Sequence, residues 1–267
     1  MAVNVAALRS QIETALAGRV PAPFARRSIQ VETAPFNIAK IDQLTGGLPH
    51  GGLTEICGPS SSGRATLLLS ALASRTAQTE VCALVDGRDT FDPSSAEAAG
   101  VKLDRLLWVR CRNIDQCLQA TDLLLQGGGF GLIAIDLSVL PPKTVRYVPL
   151  NVWFRFRRAV ENTSTILLLL DQESNAGSCA SLVLRLGCEP FRWLEPEARR
   201  APFPPNSCAC LLDGSQIQVE LVRSRLRSAT GGHKIQSFAR IDETGRAANF
   251  RTKTKWSEFR ETVIETK

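Results

Sequence analysis

The sequence predicts an α/β protein whose mostly parallel central sheet carries helices on both faces and ends in an antiparallel C-terminal extension. Three observations carry that expectation. From about Phe36 onward, short apolar runs alternate with segments of helical period, the pattern of successive βαβ units with right-handed crossovers. The apolar runs lack polar alternation, as strands covered on both faces do. After Gly177 strand-like segments continue without long intervening helices.

Taken in order, residues 5–16 place Val5, Leu8, Ile12 and Leu16 three or four apart, which predicts a short amphipathic helix. Pro21, Pro23 and Pro35 then break the chain, so residues 1–35 are expected as a helix and linker that dock on their own core or on a neighbour. Residues 36–245 form the expected core. Leu53–Cys57 reads as its first strand, followed by glycine-rich punctuation and a helix over 63–77. Residues 81–85 and 106–109 are the next strands. Asn113 is placed to cap the following helix, with Gln116 in capping-box position. Ile114, Cys117, Leu118, Thr121, Leu124 and Leu125 share that helix's inner face, and glycines 127–129 end it.

Residues 132–135 form a fourth strand. A long helix is expected over 144–162 with Val145, Val148, Val152, Phe156 and Val160 inward, then a fifth strand over 165–170. Segments 182–186, 217–222 and 237–241 read as the antiparallel extension, with Asp213-Gly214 as a turn before the second and residues 195–205 as a loop. Residues 246–267 are expected as a basic tail with a short helix near 256–264.

Composition narrows the classes. A chain of 267 residues with 44% hydrophobic and 22% charged content is that of an ordinary globular protein. The longest strongly apolar stretch, 166–170, is far too short to span a bilayer, and no signal-like apolar region opens the chain. A cytoplasmic protein without a membrane partner is expected. The eight cysteines are scattered. Cys57, Cys82 and Cys111 sit in or beside apolar segments, and Cys208 and Cys210 lack a second pair or a nearby histidine, so reduced thiols and no metal site are expected. The net charge of +6 favours acidic partners, DNA among them.

The chemistry-bearing stretch is Gly58-Pro59-Ser60-Ser61-Ser62-Gly63-Arg64-Ala65-Thr66, between a strand and a helix. A phosphate loop needs that placement, because glycine lets the backbone wrap and the helix amino end offers free N–H donors. The glycine spacing alone is weak, since 19 glycines in 267 residues give roughly one such pair by chance; the strand–turn–helix setting adds the specificity. Two positions depart from the working pattern. Arg64 stands where a lysine reaches the β and γ phosphates, and a planar guanidinium does not replace an ammonium at a fitted site. Ala65 stands where a hydroxyl holds magnesium, and Thr66, one place later, is turned by about 100° on a helix. Asp136, closing the fourth strand, is placed like the acid that steadies magnesium through water; an ordinary strand-end carboxylate is the other reading.

From these residues the chain resembles bacterial RecA. Gly46 to Pro59 is similar to the stretch leading into the RecA phosphate loop, whose core Ser61-Ser62-Gly63 matches. Val85-Asp86 with Phe91-Asp92-Pro93 and Gly100-Val101 resembles RecA's second strand and adenine-side segment. Leu169-Leu170-Asp171-Gln172 resembles the strand ending in its nucleotide-sensing glutamine, which falls on Gln172. Val222-Arg223-Ser224-Arg225 is similar to the basic segment that reaches ATP across the filament interface. The resemblance implies a RecA-like core and a vestigial nucleotide site over 58–66 with Asp92, Asp136 and Gln172. It makes Arg223 and Arg225 an interface pair.

It also marks the departures. Arg88 falls where RecA has its catalytic glutamate, although Asp89 is adjacent, and Ser95 falls where a tyrosine packs on adenine. Both DNA-binding loops, near 137–143 and 174–180, are short.

A RecA-like chain so altered resembles the ImuA family, to which the division inhibitor SulA is related. That resemblance implies a non-recombinase accessory of damage-induced translesion mutagenesis. Its implied partners are an ImuB-like polymerase-family protein, an error-prone polymerase and RecA itself. No confident catalytic residue and no firm cofactor follow, beyond ATP or ADP held weakly. Two other classes stay open: a divergent DNA-dependent ATPase relying on Arg64, Thr66 and Asp89, and a SulA-like division inhibitor. Arg251, Lys253, Lys255 and Arg260 around Trp256 and Phe259 are suited to single-stranded DNA or to a partner.

Overall fold

The computed structural model describes residues 32–188, 192–194, 211–226 and 247–253. The segments expected at 5–16, 195–205, 237–241 and 256–264 lie outside the described residues.

A small two-stranded ribbon, β1 (Thr33–Ala34) with β2 (Leu48–Pro49), brackets helix α1 (Ala39–Thr45). The main sheet starts with β3 (Leu53–Cys57), which leads into α2 (Arg64–Ala77) and β4 (Cys82–Asp86). Helix α3 (Pro93–Ala98) and a 3-10 turn at Leu103–Arg105 precede β5 (Leu106–Arg110). Helix α4 (Ile114–Gly127) then leads to β6 (Leu132–Asp136). As expected, Asn113 caps α4 by accepting the Gln116 N–H at 2.9 Å; the Gln116 side chain accepts from Arg112, one residue before the cap.

The long helix expected over 144–162 is two helices, α5 (Pro142–Arg146) and α6 (Leu150–Val160). Pro149 lies between them. It has no N–H to donate and disfavours helical backbone at Val148, so the chain turns and restarts with Pro149 as the cap. The restart changes the inward set: Trp153, Phe156 and Val160 are buried, while Val148 and Val152 are only partly so.

Strand β7 (Ile166–Asp171) and a 3-10 turn at Gly177–Cys179 lead to β8 (Leu182–Cys188). The remaining strands are β9 (Arg192–Leu194), β10 (Leu211–Ser224) and β11 (Ala247–Lys253). The sheet order is β11-β10-β8-β3-β7-β6-β4-β5, with β9 pairing beside β10. The six strands from β8 to β5 are mutually parallel. Residues 182–186 therefore belong to the parallel part of the sheet, and the antiparallel extension begins at β10. Asp213-Gly214 is not a turn before that strand; it lies within β10, at a register shift against β9. Residues 247–253, the first part of the segment expected as a tail, pair with β10 as β11.

Each face of the sheet buries its own core. Ile41, Leu67, Leu72 and Ala96 from α1, α2 and α3 meet Leu84, Leu168 and Leu184 on one side. Cys117, Val145, Trp153 and Phe156 from α4, α5 and α6 meet Val85, Ile133, Leu167 and Leu169 on the other. Successive residues of β7 thus serve opposite faces, which is why its sequence is apolar throughout. No helix among the described residues is long and apolar enough to cross a membrane.

Candidate functional site

The loop at residues 58–63 leaves the carboxyl end of β3, between β7 and β8. Its glycines are fixed by close approach. A Cβ on Gly58 would lie 2.5 Å from the Leu186 carbonyl oxygen and 2.8 Å from Ser62 Oγ. Gly63 adopts φ +90°, and a Cβ there would lie 2.2 Å from Ile217 Cδ1 of β10. Ser61, at φ 60°, takes the other left-handed position of the turn. Ser62 is buried, and its Oγ meets no hydrogen-bond partner among the described residues.

Arg64 opens α2 but does not reach outward. It is 8% exposed, and its Nη1 donates to the Asp171 carbonyl at 2.7 Å; that oxygen also accepts the Gly58 N–H at 3.3 Å. Burial draws the guanidinium below its ordinary pKa, against the pull of Asp136 and Asp171. The basic group of the loop is thereby tied to the end of β7.

Asp136 closes β6 and stands in register with Asp86 on β4 and Leu170 on β7. It accepts the Ser138 N–H at 2.9 Å. Burial raises its pKa, opposed by its Ser138 bonds and by Arg64. Asp171 is pushed up to about 6 by burial, against bonds from Asn175 Nδ2 at 2.7 Å and the Gln172 N–H at 2.6 Å. Gln172 Nε2 donates to the Ser138 carbonyl at 2.8 Å, tying the end of β7 to the loop after β6.

Ser61, Gly63, Arg64, Ala65, Thr66 and Asp136 line one hollow of about 260 Å³, with Ser138, Leu170 and Ile217 completing the wall. Gly58, Pro59, Ser60 and Ser62 shape the loop behind it. Asp92 and Gln172 do not line it. Asp92 instead caps α3, accepting from the Ser94 and Ser95 N–H groups, and the Ser95 hydroxyl and N–H hold its carboxyl below the usual range. Arg88 is exposed; its N–H donates to Asp86, whose carboxylate also takes the Thr90 and Phe91 N–H groups and the Trp108 indole.

Sequence reasoning missed Ile217 and Ser138 at this site. Ile217 comes from a strand some 150 residues downstream, and no local pattern announces such a contact. Glu55 was more legible, since an acid inside a buried strand needs donors; it accepts from Ser174 Oγ and the Asn175 and Ala176 N–H groups at 2.6 to 2.9 Å.

A larger hollow, about 440 Å³, lies at the opposite, amino ends of β4, β6 and β7, lined by Leu124, Leu125, Phe130 and Val160 among others. Ligands of open α/β sheets bind outside the carboxyl ends, so the smaller hollow is the candidate site.

Arg223 and Arg225 both turn to one 3-10 turn: Arg223 Nη1 donates to the Gly177 carbonyl and Arg225 Nη2 to that of Ser178, the latter at 2.8 Å. Arg251 and Lys253 lie on β11, opposite Gln216 and Gly214 of β10. Lys255, Trp256, Phe259 and Arg260 are outside the described residues.

A mostly parallel sheet with a glycine-bearing loop after β3, and an aspartate closing the strand two places away in the sheet, defines a RecA-like α/β domain. The family model for the RecA N-terminal domain matches residues 10–145, and the chain belongs to that family. Protein RecA of Cutibacterium acnes is 35% identical over 121 residues, 44% of this chain and 35% of that protein. Protein RecA of Psychrobacter cryohalolentis is 41% identical over 99 residues, 37% of this chain and 28% of that protein. The chain thus spans about a third of the length of these relatives.

Proposed function

We propose that this chain is a RecA-like accessory protein of DNA repair. It acts in damage-induced translesion mutagenesis as an ImuA-type scaffold or modulator, with little or no ATP hydrolysis. The observation that carries this reading is the inward turn of Arg64. Its guanidinium is engaged by the Asp171 carbonyl, so the loop presents no cation placed to meet a γ-phosphate. Ala65 offers magnesium no ligand, and a hollow of about 260 Å³ falls short of the ~300–1,000 Å³ usual for small-molecule sites. Magnesium-bound ATP does not fit these residues as they stand. Arg88, at the position of the base, can neither orient nor deprotonate a water. The partners that suit the reading are an ImuB-like protein and an error-prone polymerase.

A second reading has one observation in its favour: Thr66 lines the hollow with Asp136. A divergent ATPase would use that hydroxyl and carboxylate around magnesium. One assay separates the two. Magnesium-dependent phosphate release by the purified chain, with and without single-stranded DNA, is expected at background. Turnover near ~1 per second, lost in Arg64→Ala, would overturn the accessory reading. Co-purification from damage-treated cells is expected to recover translesion polymerase components; recovery of division proteins instead would redirect the assignment.

A further inference from the structure

The surface beyond the phosphate loop carries an arginine cluster that the fold takes care to assemble. Along β10, Ile217, Val219 and Leu221 face the core built on α1 and α2. A register shift between Leu221 and Arg223 then switches the pairing from Leu184 to its neighbour Val183, which belongs to the opposite face. A bulge of this kind re-aims the side chains after it. Arg223 and Arg225 consequently turn toward α6 and bond the Gly177–Cys179 turn.

Helix α6 supplies the rest. Leu150, Phe154 and Arg157 recur at helical spacing along one stripe. Leu150 and Phe154 are 50% and 47% exposed, and Leu150 Cδ2 comes within 3.8 Å of where a Gly177 Cβ would stand. The Arg157 guanidinium bears on that of Arg225: partial burial, then Arg157 and Arg223, draw Arg225 below its ordinary pKa. Among the described residues no carboxylate pairs with any of these three arginines, although Arg75, Arg110, Arg155 and Arg185 each have one.

We propose that Arg157, Arg223 and Arg225, with Leu150 and Phe154, dock a short acidic segment of a protein partner that also carries large apolar side chains. This rests on the accessory reading above and names the chemistry of its partner. Charge complementarity supplies the acidic half: converging guanidiniums suit one or two carboxylates, which they take as two-pronged hydrogen bonds. The aliphatic and aromatic pair on α6 supplies the apolar half, the mix common at interface anchors. A nucleic-acid strand fits less well. It needs a basic groove that tracks its backbone and aromatic faces in succession, whereas Arg223 and Arg225 bond a single three-residue turn and Arg157 bears on Arg225 from α6.

The test uses the full chain and fluorescent twelve-residue peptides combining Asp and Glu with Leu and Phe. Controls are the same peptides with Asn and Gln replacing the acids, and an oligothymidine. Binding is expected for the acidic peptides alone, weakening with added salt. It should fall at least tenfold in Arg157→Glu, whose guanidinium has no carboxylate partner among the described residues, and several-fold in Phe154→Ser. The proposal is overturned if acidic and neutral peptides bind alike, or if both variants bind as the wild type does. Preferential oligothymidine binding that Arg157→Glu removes, or an Arg157-dependent self-association on sedimentation, would also overturn it. A translesion polymerase that co-purifies equally well with Arg157→Glu would refute this surface while leaving the accessory function standing; ATP turnover would do the reverse.

Discussion

Asp171 is fully buried at the end of β7, where three polar groups meet: its carbonyl holds Arg64, and its carboxylate holds Gln172 and Asn175. Burial nevertheless wins and lifts its pKa to about 6. The folded chain therefore binds this proton more tightly than the unfolded chain, whose aspartates titrate near ~3.9. The sign follows from linkage: the contribution favours folding below the unfolded value and is lost as pH rises through about 6. Its ceiling is about 3 kcal/mol. Asp136 is shifted in the same direction, while Asp92 is shifted the other way, so the measurement must isolate Asp171. Urea unfolding from pH 7 down to pH 4.5 is expected to show the wild type gaining stability relative to Asp171→Asn, which keeps an acceptor for the Gln172 N–H. Parallel curves for the two proteins would show that the carboxyl ionises normally in the fold.

Segments whose information is local were legible before the structure. Asn113 caps α4 because a short acceptor precedes an apolar period, and β3 to β7 fall within a residue or two of expectation because continuous apolar runs permit little else. Pro149 carries an equally local stop signal, although the valine spacing around it continues a helical period. What the sequence could not show is pairing at a distance. Nothing local distinguishes a strand that joins β3 in parallel, as β8 does, from one that begins an antiparallel run. The contact of Ile217 with Gly63 belongs to the same class, and it joins β10 to the phosphate loop. Replacing Gly63 by Ala places a Cβ at positive φ, costing roughly 1–2 kcal/mol, and drives it into Ile217 Cδ1. A total above ~2 kcal/mol is expected. Ile217→Val deletes that Cδ1 atom, so Gly63→Ala should cost less in its background. A double-mutant cycle with coupling of at least ~0.5 kcal/mol checks the contact; strict additivity would mean that β10 does not press on the loop.

The larger consequence is that one sheet carries both cores and the candidate site. Two cores on its opposite faces share strands β4, β6 and β7, so neither should melt without the other. The cysteines provide reporters spread across it. Cys57 is on β3, Cys82 on β4, Cys111 follows β5, Cys117 is on α4 and Cys179 is in the turn before β8; all five are buried and reduced. Burial pushes the thiols of Cys57, Cys82 and Cys117 up to about 11, 12 and 12, so thiolate is scarce in the folded state and a thiol reagent must wait for opening. With Cys188, Cys208 and Cys210 changed to Ser, labelling in native buffer is expected to be slow. The five sites should react together, at a rate that rises with urea as global unfolding does. Strand β5 is the edge of the sheet, with Leu107 45% exposed, and is where an independent opening would begin. Faster labelling of Cys82, Cys111 and Cys117 than of Cys57 and Cys179, with little dependence on urea, would show that the β4–β5 edge opens by itself and that the two cores are not one cooperative unit.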